Sequence, residues 1–157
     1  MNIIITKGKG SGHTELSAFD NALYDAGIGN FNLIRLTSII PPGSKVVVRK
    51  INWNQVDFGN KLYVVLAKAT QVITGKEAWA GIGWVQSKDG QGMFIEHTAE
   101  SQEDVVRLIK NSLNDIVKYR PEKYGQPKYL TCGITCKDRP VCAVVAAVYQ
   151  SEGWSEH

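Results

Sequence analysis

Cysteine is scarce in this 157-residue chain: Cys132, Cys136 and Cys142, an odd number that cannot all pair with one another. A disulfide framework is therefore a poor description, and the three thiols are expected to pack as small reduced hydrophobes. Histidine is equally sparse, and His13, His97 and His157 show no metal-ligand spacing with one another or with the cysteines, so no metal is expected. No apolar run approaches the roughly 20 residues that span a bilayer. The opening MNIIITKGKG puts its apolar residues ahead of its basic ones, the reverse of a secretory signal. The expectation is a cytoplasmic protein with no membrane partner. Excess charge is also lacking. Eighteen Lys and Arg against fifteen Asp and Glu give 18 − 15 = +3. Those basic residues are scattered along the chain rather than clustered, so nucleic acid is not an expected partner. Neither G-x-x-x-x-G-K-[ST] nor G-x-G-x-x-G occurs, and Gly75-Lys76 runs into Glu77, which has no hydroxyl for magnesium; the loop GKGSGHT is then a flexible approach to a helix rather than a phosphate cradle.

What is present is the composition of a globular domain, 43% hydrophobic and 21% charged. The length suits one domain, 1–157, and neither a repeat nor a linker divides it. Residues 2–6 are expected to form a short buried strand and residues 7–13 a glycine-rich loop. A helix follows, capped by Thr14 and stopped at Gly27, with Leu16, Phe19, Leu23 and Ala26 on one face. Strands are expected at 31–36, 45–51, 62–73, 78–86 and 91–97, with Lys88-Asp89-Gly90 as a hairpin turn. A second helix starts at Ser101 and ends before Pro121. Two last strands, 128–136 and 141–149, flank a turn at 137–140, and residues 151–157 form a loose tail. The run VCAVVAAV is apolar on both faces, so its strand is expected to be covered from both sides. Many strands with only two helices predict an α+β layered sandwich.

Three features carry candidate chemistry. Asp20 sits inside the apolar rhythm of the first helix, where it either borders the buried face or points to solvent. Glu96 ends the run Gly-Met-Phe-Ile and shares the alternation position of Phe94. A carboxylate beside that ring has a raised pKa and can act as a general acid; a strand-end residue reaching water is the alternative. Thr37 and Ser38 form a hydroxyl pair ahead of Ile-Ile-Pro41-Pro42. The prolines fix the backbone there, either as an ordinary strand exit or as a segment holding one peptide bond in a strained geometry open to hydroxyl attack.

Together these segments carry a resemblance. The stretch TELSAFDNALYDAGIGNFNLIRLTSIIPPG, with its AFD-x-AL helix, AGI stop, N-L-x-x-L strand and hydroxyl pair before I-x-PP, resembles pyruvoyl-dependent arginine decarboxylases, and GMFIEHTAE resembles their catalytic glutamate region. The resemblance implies a layered α-β-β-α sandwich with mainly antiparallel sheets. It also implies a homotrimer of cleaved units with active sites between neighbours. It implies self-cleavage at Thr37–Ser38 into a β chain, 1–37, and an α chain, 38–157, with Ser38 becoming a covalent pyruvoyl group, the only cofactor implied. Asn32 matches the asparagine that assists cleavage, Glu96 the proton donor and Asp20 the carboxylate that receives the guanidinium of arginine. Loss of CO2 leaves an α-carbanion that a ketone-bearing group can delocalise; the product is agmatine. One departure is Thr37, where many members carry serine. The attacked group is a backbone carbonyl, so processing remains compatible, as does an unprocessed homologue acting in binding or assembly. Asp20 alone does not separate arginine from lysine or ornithine.

Overall fold

The structure is a computed structural model that describes residues 1–155. Its elements are β1 (Asn2–Ser11), α1 (Glu15–Asp25), β2 (Asn32–Arg35), β3 (Ile39–Ile40), β4 (Lys45–Val48), β5 (Lys61–Gln71), β6 (Glu77–Gln86), β7 (Gly92–Ala99), α2 (Gln102–Val117), β8 (Lys128–Thr135) and β9 (Val141–Glu152). Five strands form one sheet in the order β2-β5-β9-β1-β4, and four form another in the order β3-β7-β6-β8. All strand pairs are antiparallel except β1–β4 and β2–β5.

Alternation along the central strands explains the layering. On β9, Ala143, Val145 and Ala147 join Ile3, Ile5, Val65, Ile82 and Phe94 between the sheets. The intervening Cys142, Val144, Ala146 and Val148 face α1. The strand is thus buried on both sides, as its unbroken apolar run predicts. Helix α2 covers the outer face of the second sheet with Val105, Ile109 and Leu113. The result is an α-β-β-α sandwich with two main helices. All three cysteines are buried and free. Among the described residues no helix is long and apolar enough to cross a membrane, and no group of three or more His, Cys, Asp or Glu could hold a metal ion.

The glycine-rich segment 7–13 is not a loop. Its first half continues β1, with Lys7 to Ser11 paired against Val145 to Val141. Gly8 and Gly10 lie directly beneath α1: a Cβ on Gly8 would overlap the Ala22 carbonyl oxygen, and one on Gly10 the Ala22 backbone nitrogen. These glycines serve close helix–strand approach rather than flexibility. The helix caps hold. The Thr14 hydroxyl accepts from the Ser17 N–H at 3.0 Å. Gly27, at φ 84°, ends α1 in a Schellman turn, with Ile28 N–H donating to Leu23 O and Gly27 N–H to Tyr24 O. Leu23 and Ala26 of the expected face are buried and Phe19 packs beside them, but Leu16 is 76% exposed and Ala18 and Ala22 complete the buried side. Small residues win there because the strand beneath is itself glycine. Two further corrections concern the ends of elements. The short strand β3 lies inside the proline-bearing break, and β9 runs on to Glu152 where a tail was expected. Its extension pairs with Lys61 to Tyr63, and Trp154 Nε1–H donates to Gly59 O at 2.9 Å. Residues 156 and 157 of that expected tail, including His157, lie outside the described residues.

Replacing Gly8 by Ala is expected to destabilise the fold by about 1–3 kcal/mol, the usual cost of overpacking a tight interface. A denaturant midpoint unchanged from wild type would mean that α1 does not seat on β1 as described.

Candidate active site

Strands β2 and β3 lie at the same edge of the sandwich, one in each sheet. The residues between them, Leu36 to Ser38, therefore carry the chain from one layer to the other. Both ends of the crossing are tied. Leu36 N–H donates to Val64 O on β5 at 2.8 Å, and Ser38 O accepts from Phe94 N–H on β7 at 2.8 Å. One residue further on, Ile39 O accepts from the Tyr149 hydroxyl of β9 at 2.7 Å. Tyr149 is itself braced edge-on by Phe94, with ring centroids 6.1 Å apart. Burial pushes the Tyr149 hydroxyl up to about 12, so it stays protonated and able to donate. Among the described residues, nothing hydrogen-bonds the Thr37 carbonyl or the Ser38 N–H. The Leu36–Thr37 and Thr37–Ser38 peptide units, which make the crossing, are both without hydrogen-bond partners among the described residues.

The crossing carries no cis peptide, and Gly43, at φ 74°, is the first left-handed residue after it. The strained geometry weighed from the double proline is therefore absent from the backbone angles. The prolines instead end β3, and Gly43 turns the chain into β4.

Glu96 stands two residues beyond Phe94 on β7, on the same face of the sheet. Two residues of strand span about 7 Å, so the carboxylate lies one pleat from the Ser38 anchor. The residue is exposed to solvent, and partial burial of its carboxyl raises its pKa above the ordinary value. The attraction of Arg35 opposes that rise. Arg35, Lys68 and Glu96 line one groove of about 310 Å³ between the edges of the two sheets. Lys68 Nζ is held 4.3 Å from the centre of the Phe19 ring, which ties α1 to the rim of the groove. The neighbouring His97 accepts or donates at 2.7 Å to Ser112 Oγ of α2, and burial lowers its pKa.

Two expected residues are not brought to this point within one chain. Asn32 lies at the start of β2, and its side-chain amide donates to Gly59 O at 2.7 Å. Five residues of extended chain separate it from Thr37, at most about 16 Å. Asp20 is exposed on α1 beside Phe19 and does not line the Glu96 groove. Sequence reading missed Tyr149, Arg35 and Lys68. The signal for Tyr149 was available: it continues the alternation Ala143, Val145, Ala147 on the inner face of β9. Nothing local marks the other two.

A family model described as pyruvoyl-dependent arginine decarboxylase matches residues 2–153. A pyruvoyl-dependent arginine decarboxylase of Archaeoglobus fulgidus is 30% identical over 149 residues, covering 94% of each chain. The enzyme of that name from Methanopyrus kandleri is 33% identical over 152 residues, covering 92% of each. Among solved structures, a pyruvoyl-dependent histidine decarboxylase aligns with a TM-score of 0.42 at 11% identity, over 58% of this chain and 51% of that one.

Two measurements check this geometry. Tyr149→Phe leaves the Ile39 carbonyl unpartnered and is expected to cost about 1–3 kcal/mol of stability; a melting curve identical to wild type would remove the latch. Glu96 binds its proton more tightly folded than unfolded. Its contribution to stability is therefore complete below the ordinary carboxylate pKa and is lost as pH rises through the raised folded value. Stability of wild type relative to Glu96→Gln should fall across that window and then level off; a rise with pH would contradict a desolvated carboxyl.

Proposed function

This chain belongs to the pyruvoyl-dependent arginine decarboxylase family, and on that premise we propose that it cuts its own Thr37–Ser38 bond and then converts L-arginine to agmatine and CO2. The supporting observation is the crossing. Its ends are tied to different sheets, and the two peptides between them, Thr37–Ser38 included, are left without hydrogen bonds among the described residues. Ser38 Oγ attacks the Thr37 carbonyl carbon, and the acyl group passes from nitrogen to oxygen. β-Elimination breaks the resulting ester, releasing Thr37 with a free carboxylate and leaving residue 38 as dehydroalanine. Water then replaces its nitrogen, giving a pyruvoyl group and ammonia.

The residues present fit such a group. Phe94 N–H would keep hold of the carbonyl of residue 38, and the Tyr149 hydroxyl would keep hold of the next one, so the new chain end stays in place after cleavage. When formed, the group supplies a conjugated carbonyl that delocalises the charge left by departing CO2. The remaining work falls to side chains of the protein. Glu96, with its raised pKa, holds the proton that the α carbon receives. Asp20 receives the substrate guanidinium through paired charge-assisted hydrogen bonds.

A neighbouring copy completes the pocket on this reading. Asn32 and Asp20 lie away from the Glu96 groove of their own chain. Ile34 and Ile39, on either side of the crossing, are 37% and 56% exposed. An apolar rim around a polar site suits burial against another subunit, and a closed trimer provides it. Cleavage does not release the short piece. Residues 1–37 supply β1, held between β9 and β4, and β2, held on β5.

Intact-mass analysis of purified protein should show two species, 1–37 and 38–157, that co-purify natively and separate in denaturant. Ser38→Ala should give one uncut chain. A single full-length mass in wild-type protein would mark an unprocessed homologue with a binding or assembly role. In Glu96→Gln, cleavage should persist while CO2 release from arginine falls by about 10²-fold or more. Equal release from lysine or ornithine would show that Asp20 selects only for positive charge.

A further inference from the structure

The opposite edge of the sandwich also opens, and with a different chemistry. On β1 the inner-face alternation begins with Ile3 and Ile5, both in the core between the sheets. Its next two positions are Lys7 and Lys9. Charged residues in a closed interior would need partners, and here the sheets part into a cleft of about 690 Å³, bounded across from β1 by Tyr129 to Gly133 of β8. The chain leaving β4 adds two more cations. Arg49 N–H donates to Ile5 O at 3.1 Å, which brings Arg49 and Lys50 to the same wall as Lys7 and Lys9. Parallel pairing of β1 with β4 thus gathers four cations that lie some 40 residues apart in the sequence.

Asp25 is the single acidic residue lining the cleft, and its carboxylate already accepts the Lys9 N–H at 2.9 Å. Among the described residues none of the four cations makes a salt bridge. Their charge reaches the floor of the cleft. Burial raises the pKa of the Cys132 thiol there, and Lys7 and Lys9 both pull it back. At the mouth, the Trp79 ring lies against Gly133, where any side chain would displace it. The space falls within the usual range for small-molecule sites, and several like charges around it repel one another unless an anion intervenes.

We propose that this cleft is a binding site for a small phosphate-rich anion, separate from the Thr37–Ser38 edge. Lys7, Lys9, Arg49 and Lys50 hold the phosphate oxygens, with the Trp79 ring, one face on Gly133, and the Tyr129 ring, under Lys110 Nζ at 5.7 Å, lining the rim. An inorganic phosphate chain and a nucleoside triphosphate share this chemistry.

Isothermal titration of the purified mature protein with tripolyphosphate, and separately with ATP, tests the site against sulfate at matched ionic strength. Tripolyphosphate should bind at one site per chain, more tightly than sulfate. Binding should weaken severalfold as salt rises from about 50 to about 200 mM. The double variant Lys7→Gln/Arg49→Gln should bind at least about tenfold more weakly, as expected for losing two charge-assisted hydrogen bonds. Should that variant fail to fold, Lys50→Gln alone should still weaken binding measurably. Tighter binding of ATP assigns the rim aromatics to a base; equal binding assigns the site to the phosphate chain. No saturable binding by wild type would overturn the proposal, as would unchanged binding in folded variants. It would equally fail if the variants altered the oligomeric mass instead, which would make the cleft a contact between copies.

Discussion

The organising constraint is that one short piece of backbone must serve two sheets at once. Leu36 is bonded into the first layer, Ser38 into the second, and Ile39 to a tyrosine reaching across from the first. The flanking residues are thus held, while the two peptides between them, on either side of the exposed Thr37, have no hydrogen-bond partner among the described residues. The crossing achieves this without any unusual backbone angle. None of these anchors involves an atom of the Thr37–Ser38 amide bond.

The layers themselves rest on small residues at points of close approach. Gly8 and Gly10 let α1 lie on β1, while Gly81 and Gly83 let Val105 and Ile109 of α2 press on β6. With the helices seated this closely, the middles of the central strands β9, β5 and β6 are covered, and two of the openings lie at opposite edges of the sandwich. One edge holds a carboxylate whose pKa partial burial raises. The other gathers four cations around a cleft. The two edges differ because the inner-face alternation ends differently on each. Phe94 gives way to Glu96 on β7, and Ile5 gives way to Lys7 on β1.

Much of this was legible beforehand. Apolar periodicity placed both helices and eight of the nine strands, and the caps at Thr14 and Ser101 lie where their hydroxyls predict. That Glu96 shares a sheet face with Phe94 follows from simple alternation, as does the two-sided burial of β9. The segment 7–13 misled because glycine signals flexibility only when nothing lies above it, and the helix lying above it is a tertiary fact. The two-residue β3 is too short to show a period. The cationic cleft was invisible for a similar reason: residues 7, 9, 49 and 50 read as scattered until β1 and β4 pair.

By itself, then, the amino-acid order determined which residues alternate, where helices begin and stop, which family motifs the chain carries and which hydroxyl follows Thr37. Those are matters of local chemistry and short-range spacing. Only the tertiary structure decided that Ser38 stands beside Phe94, that Tyr149 holds the next carbonyl, and that Asn32 and Asp20 fall outside the groove of their own chain. Such juxtapositions depend on strand order and on which layers meet. Two sheets brought together from distant segments can place residues more than a hundred positions apart within a hydrogen bond, as they do for Ile39 and Tyr149.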